Sequence, residues 1–103
     1  MIDEIRSHRE ELRVLCRRFH VRRLDLFGSA ARGDFDHARS DLDFLVEFDR
    51  NHPRALSLET YFGLKEALEA LLGRPVDLVE PSGMRNPYLK ESIERSRVPI
   101  FAA

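Results

Sequence analysis

Leu26-Phe27-Gly28-Ser29-Ala30-Ala31-Arg32-Gly33, followed by a polar loop and then Ser40-Asp41-Leu42-Asp43-Phe44-Leu45-Val46, is the stretch on which the reading of this chain turns. The second segment reads as a strand from Asp41 to Phe48. Successive side chains on a strand alternate faces, so Leu42, Phe44, Val46 and Phe48 line one side. Asp41, Asp43, Leu45 and Glu47 line the other. Two carboxylates at i and i+2 then project side by side, with Cα atoms about 6.5–7 Å apart at strand rise. Like charges held this way repel unless something cationic lies between them. Magnesium is the natural candidate, because it takes one or two carboxylates, keeps waters and accepts substrate phosphate oxygens. Two carboxylates bridging two such ions would form the clamp for an in-line phosphoryl or nucleotidyl transfer.

Gly28-Ser29 supplies the complementary half. The preceding residues, about 22–28, read as a first strand, with Leu24 and Leu26 on one face. Gly28 lets the backbone approach a phosphate closely, and the turn after it exposes N–H groups and a hydroxyl. A helical turn from Ser29 to Arg32 would add a favourable partial charge, and Arg32 is placed to reach a triphosphate. A third strand, Val76 to Glu80, carries one more acid. If it neighbours the second strand, Asp77 stands beside the Asp pair, as a further metal ligand or as a base for an attacking hydroxyl.

The flanking pattern supplies helices. Residues 2–19 read as one amphipathic helix, with Ile2, Ile5, Leu12, Leu15, Cys16 and Phe19 on a stripe. A long helix is expected from Ala55 to Leu72, turning Leu58, Phe62, Leu68, Leu71 and Leu72 to the core, closed by Gly73 and Pro75. Asn86-Pro87 is an N-cap and N1 pair for a last helix over 87–96. Val98 to Phe101 reads as an edge strand. The order helix–strand–strand–helix–strand–helix predicts one mixed sheet covered by helices, an α/β (α+β) fold.

At 103 residues one domain spanning 1–103 is expected. Seventeen Lys+Arg against eighteen Asp+Glu leave a formal charge of −1, which argues against a polybasic nucleic-acid wrapper and strong nucleic-acid binding. The single cysteine, Cys16, excludes an internal disulfide and is expected in the core. No apolar run approaches a membrane span and Met1-Ile2-Asp3-Glu4 does not open a signal peptide, so a cytoplasmic protein is expected. His8, His20, His37 and His52 show no metal-ligand spacing. Tyr61 and Tyr88 are expected to serve core or cap packing.

Gly28-Ser29, eleven intervening residues, Asp41-Leu42-Asp43 and the later Asp77 together resemble the signature of the DNA polymerase β-like nucleotidyltransferase superfamily. Within it the chain resembles the minimal nucleotidyltransferase (MNT) family, which pairs with HEPN-domain partners in toxin–antitoxin modules. The likeness runs from the leading helix through Leu-Phe-Gly-Ser and Ser-Asp-Leu-Asp to Pro-Val-Asp-Leu-Val and Arg-Asn-Pro-Tyr-Leu. It implies the polymerase β-like fold, with Asp41, Asp43 and Asp77 as metal-binding carboxylates and Gly28, Ser29 and Arg32 at the nucleotide. It also implies transfer of AMP from Mg²⁺–ATP to a tyrosine of a HEPN ribonuclease toxin, and a hetero-oligomer with that toxin. The rival is an antitoxin that neutralises the toxin by binding alone, with the carboxylates idle or ligating nucleotide. A third reading, nucleotide addition to RNA, meets the lack of a basic surplus.

Overall fold

A computed structural model describes residues 3–32, 41–53, 55, 57–81 and 85–103, with the side chain of Arg32 excepted. The expected loop from Gly33 to Arg39, with His37, lies outside these residues, as do Ile2, Ser40 and the centre of the turn after Pro81. In chain order the elements are α1 (Asp3–Ser7), α2 (Arg9–Arg18), β1 (Val21–Phe27), α3 (Ser29–Arg32), β2 (Leu42–Phe48), α4 (Leu58–Leu72), β3 (Val76–Val79), α5 (Pro87–Ser96) and β4 (Val98–Ala102).

The expected single helix over 2–19 is broken at His8. The His8 Nδ1 lies 2.8 Å from the Glu4 carbonyl, the acceptor its own backbone N–H would use in a continuous helix. That N–H turns instead to the Ile5 carbonyl at 3.3 Å, a tighter turn than the α-helix makes. The apolar stripe survives the break: Ile5, Leu12 and Cys16 are fully buried. Burial pushes the Cys16 thiol up to about 12, so it behaves as a small apolar side chain.

Ser57, not Ala55, starts the long helix. Its backbone is extended and its hydroxyl accepts from the Thr60 N–H at 3.1 Å, satisfying a first-turn donor. Gly73 closes α4 in the left-handed region, φ 67°, with its N–H on the Glu69 carbonyl. Thr60, Leu64, Leu68 and Leu72 form the buried face. Leu58 and Phe62 are exposed, contrary to expectation. Each stands two residues from Thr60, about 200° around the helix, so a face centred on Thr60 turns both outward. At Gly63 a Cβ would meet the Phe19 ring at 2.8 Å, so only glycine lets the residues after α2 pack this close to α4.

Among the described residues the strands form one sheet in the order β3-β2-β1-β4. β1 runs antiparallel to both β2 and β4, and β2 runs parallel to β3. The parallel pair needs a crossover, which α4 provides. One sheet face presents Leu24, Leu26, Leu42, Phe44, Val46, Val76 and Leu78 to α1, α2 and α4, and these side chains join one apolar cluster. β4 is an edge strand, as its short apolar run predicts. No described helix is long and apolar enough to cross a membrane.

Candidate active site

The second face of the sheet is set by alternation. Arg23, Asp25 and Phe27 on β1 stand opposite Glu47, Leu45 and Asp43 on β2. On the other side of β2, Asp43 is level with Asp77 of β3. Neighbouring strands lie about 4.8 Å apart, so residues in register across a ladder are close neighbours on the same face. The strand order therefore brings Asp77 beside Asp43. Asp43 is half-buried, Asp77 is exposed, and Asp41 is exposed one residue ahead of β2.

Gly28 follows β1 directly, with φ 75°, a conformation costly for any residue bearing a Cβ. A Cβ there would lie 2.5 Å from Asp43 Oδ2. Glycine is thus required twice, by the turn and by the carboxylate seated against it. The Gly28 carbonyl accepts from the Ala31 N–H at 3.1 Å and closes the short turn of α3. Ser29 opens that turn, half-buried, beside the carboxylate row. Arg32 ends α3, and its side chain is outside the described set.

Three further residues tie the glycine turn and β1 to the end of α5. Asp25 is fully buried on the second face. Its Oδ2 accepts from Arg97 Nε at 2.6 Å, and its Oδ1 from Arg23 Nε at 3.3 Å. Burial works against the Arg97 charge, but the hydrogen bond and charge of Asp25, with a smaller share from Glu94, outweigh it and hold the guanidinium above its ordinary value. One residue earlier, the Ser96 hydroxyl accepts from the Gly28 N–H at 3.4 Å. The end of α5 is therefore tied to the glycine turn and to the strand beneath it. Leu45 and Ile93 are buried but stand apart from the main apolar cluster.

Sequence reasoning missed Asp25, Ser96 and Arg97. Asp25 shares its face with Phe27 and Arg23, which marks it as off the core, but nothing local joins residues 72 apart. Tyr61 packs partly against the core, as expected, and its hydroxyl donates to the Leu78 carbonyl at 2.6 Å. Tyr88 is largely exposed rather than packed. His20 and His52 stack with ring centroids 3.6 Å apart, away from the carboxylate row.

Among the described residues, no three His, Cys, Asp or Glu side chains are grouped so as to hold a metal ion by themselves. The candidate carboxylates form a row instead, along β2 and across to β3. Hard oxygen donors in a row suit Mg²⁺, which takes one or two protein carboxylates and leaves its other positions to water and phosphate oxygens. The arrangement can therefore bring a divalent cation, a phosphate chain on the Gly28 turn and an acidic proton acceptor onto one exposed face.

Comparisons with known proteins give the family and the fold. A profile of the nucleotidyltransferase domain matches residues 8–100. A Thermococcus cleftensis protein named protein adenylyltransferase MntA is 41% identical over 93 residues, 86% of each chain. A solved structure named provisionally as a minimal nucleotidyltransferase is 40% identical, with a TM-score of 0.74 over 91% of this chain and 90% of that one. The fold also matches a complex of a tri-AMPylated Shewanella oneidensis HEPN toxin with its MNT antitoxin, at 18% identity and a TM-score of 0.65, over 96% of this chain and 73% of that one. The chain belongs to the nucleotidyltransferase domain family, among its minimal members.

Proposed function

We propose that this protein is an antitoxin that transfers AMP from ATP to a tyrosine hydroxyl of a HEPN ribonuclease toxin, with release of pyrophosphate. The observation that carries the reading is the register of Asp43 with Asp77 beside the glycine turn. The name of the Thermococcus cleftensis relative and the AMPylated toxin bound to an antitoxin of this fold support the acceptor and the partner.

In this reading the Gly28-Ser29 turn seats the phosphates, and Arg32 is assigned to the nucleotide. Asp41 and Asp43, with Asp77 beside them, would hold Mg²⁺. That ion would supply charge neutralisation on the phosphates. Asp77 draws the proton from the acceptor hydroxyl as its oxygen bonds to the α-phosphorus. The bond from the α-phosphorus to the bridging oxygen breaks, and pyrophosphate carries away that electron pair. Positioning and electrostatics do the work, with no covalent enzyme intermediate. The acceptor surface comes from the partner, so the working species is a hetero-oligomer with the toxin.

The test incubates the protein and its co-purified partner with Mg²⁺ and ATP labelled on the α-phosphate, beside Asp41→Asn/Asp43→Asn. Label on one protein band, mapped to a tyrosine and lost in the double variant, is the expected result. Label in RNA replaces the acceptor. Neutralisation of the partner without any label transfer overturns the catalytic reading in favour of binding alone.

A further inference from the structure

The third carboxylate sits on the weakest strand of the site. β3 has four residues, lies at the sheet edge and pairs with β2 alone among the described strands. An edge strand leaves part of its backbone without a ladder partner, so by itself it holds a side chain less firmly than a central strand does. Asp43, on β2 between two neighbours, has no such weakness. Asp77 is level with it, and exposed.

The peptide groups on both sides of Asp77 are nevertheless engaged, by side chains of one helix. The Val76 N–H donates to Glu69 Oε2 at 3.0 Å. The Leu78 carbonyl accepts from the Tyr61 hydroxyl at 2.6 Å. Both side chains come from α4, eight residues apart, about 12 Å along its axis. The helix is a rigid support, capped at both ends and buried along Thr60, Leu64, Leu68 and Leu72. Lys65 Nζ in turn holds Glu69 Oε2 at 3.2 Å.

The ionisation of the two groups suits these roles. The Val76 amide first, and Lys65 second, keep the Glu69 carboxyl below the ordinary carboxylate range, so it remains an acceptor. Burial first, then the negative charges of Glu80 and Asp77 against the opposing Lys65, push the Tyr61 phenol above its ordinary value, so it remains a donor.

We infer that Tyr61 and Glu69 are positioning residues that clamp β3 on either side of Asp77 and hold its carboxylate at the reacting centre. The inference rests on the catalytic reading of Asp77 above. Transition-state geometry tolerates little displacement, and a shift of about 1 Å can cost a hundredfold in rate. Loosening one side of the clamp is a smaller disturbance, so a rate loss of about tenfold is expected.

The experiment is a cycle of four chains: wild type, Tyr61→Phe, Asp77→Asn and the double variant, each in complex with the partner. Initial rates of AMP transfer are measured over a range of ATP concentrations. Phenylalanine keeps the ring, so Tyr61→Phe should melt within about 5 °C of wild type. Its kcat should fall about tenfold with KM for ATP nearly unchanged, the pattern of a group that acts in the transition state alone. In the Asp77→Asn chain the same substitution should cost less than about twofold, because the group it positions is already gone. Glu69→Gln, which keeps an oxygen for the Val76 amide, should retain most of the rate that Glu69→Ala loses. Equal losses in both backgrounds, or a Tyr61→Phe chain as fast as wild type, overturn the positioning role alone. An Asp77→Asn chain as fast as wild type overturns the catalytic reading of Asp77, and wild type without transfer overturns the adenylyl-transfer reading; either result takes the positioning role with it.

Discussion

The two faces of the sheet carry the same alternating strands and opposite contents. Toward α1, α2 and α4 the two central strands turn Leu24, Leu26, Leu42, Phe44 and Val46, all apolar and buried. On the other face the strands present Asp25, Asp43 and Asp77, and among the described residues Leu45 and Ile93 of α5 are the buried apolar groups set apart from the main cluster. Burial of apolar area is the main favourable term in folding, so the first face supplies most of the stability. The second gathers the carboxylates of the candidate site. The difference shows how so short a chain can keep a polar candidate site apart from its core. The apolar core and the candidate site lie on opposite faces because successive residues along a strand alternate between them.

The sharpest way to break that division is to cross it. Phe44→Ala empties a fully buried position on the apolar face and should lower stability by about 3–5 kcal/mol, read by denaturant unfolding. The molecules that remain folded should keep their transfer rate, because Asp43 and Leu45 lie on the other side. A matching loss of rate per folded molecule would show that the faces are coupled.

Next in size is Arg97→Ala, which strips a partner from a fully buried carboxylate and leaves it, among the described residues, the more exposed Arg23. A loss of about 3 kcal/mol is expected, at the low end for a broken buried pair because Arg23 remains. Here activity should fall too, since Ser96 and the Gly28 turn it bonds lose their anchor. Amide exchange at Gly28, faster in the variant, would check that link.

Gly28→Ala inverts the balance. Its strain at φ 75° costs about 1–2 kcal/mol of stability. The collision with Asp43 Oδ2 should still reduce AMP transfer by about a hundredfold, because the carboxylate itself must move. A variant that melts lower but transfers AMP at the wild-type rate would place the reacting centre away from this turn.

The smallest effect concerns pH. The Glu69 carboxyl titrates below the ordinary carboxylate range when folded. Its contribution to stability is therefore fully present above the unfolded carboxylate value and is lost as pH falls through the folded one. Wild type should lose slightly more stability than Glu69→Gln on acidification across that window, by thermal melts at a series of pH values. Parallel curves would remove Glu69 from the list of groups that hold β3.

Much of the fold was legible because it is local. Alternation from Leu42 to Phe48 sorts the two faces of β2 without any partner, and Asn86-Pro87 and Gly73 mark helix ends by their own backbone chemistry. Where the reading of α4 slipped, at Leu58 and Phe62, the apolar residues were too plentiful for periodicity to choose a face. Packing against the sheet chose Thr60 instead. The break at His8 turned on a side chain competing for a carbonyl, which hydrophobic spacing does not register.

The sequence by itself determined the candidate chemistry: a glycine turn, two carboxylates at alternate positions and a third on a later strand, because residue type and period carry that information along the chain. Only the tertiary structure decided that β3 lies beside β2, which sets Asp77 level with Asp43. It also decided that α4 engages the backbone on both sides of Asp77, and that Arg97 meets Asp25 from 72 residues away. These pairings depend on strand order and on where each helix crosses the sheet. Those are settled by burying the apolar face of the whole domain at once, and no local stretch of sequence records them.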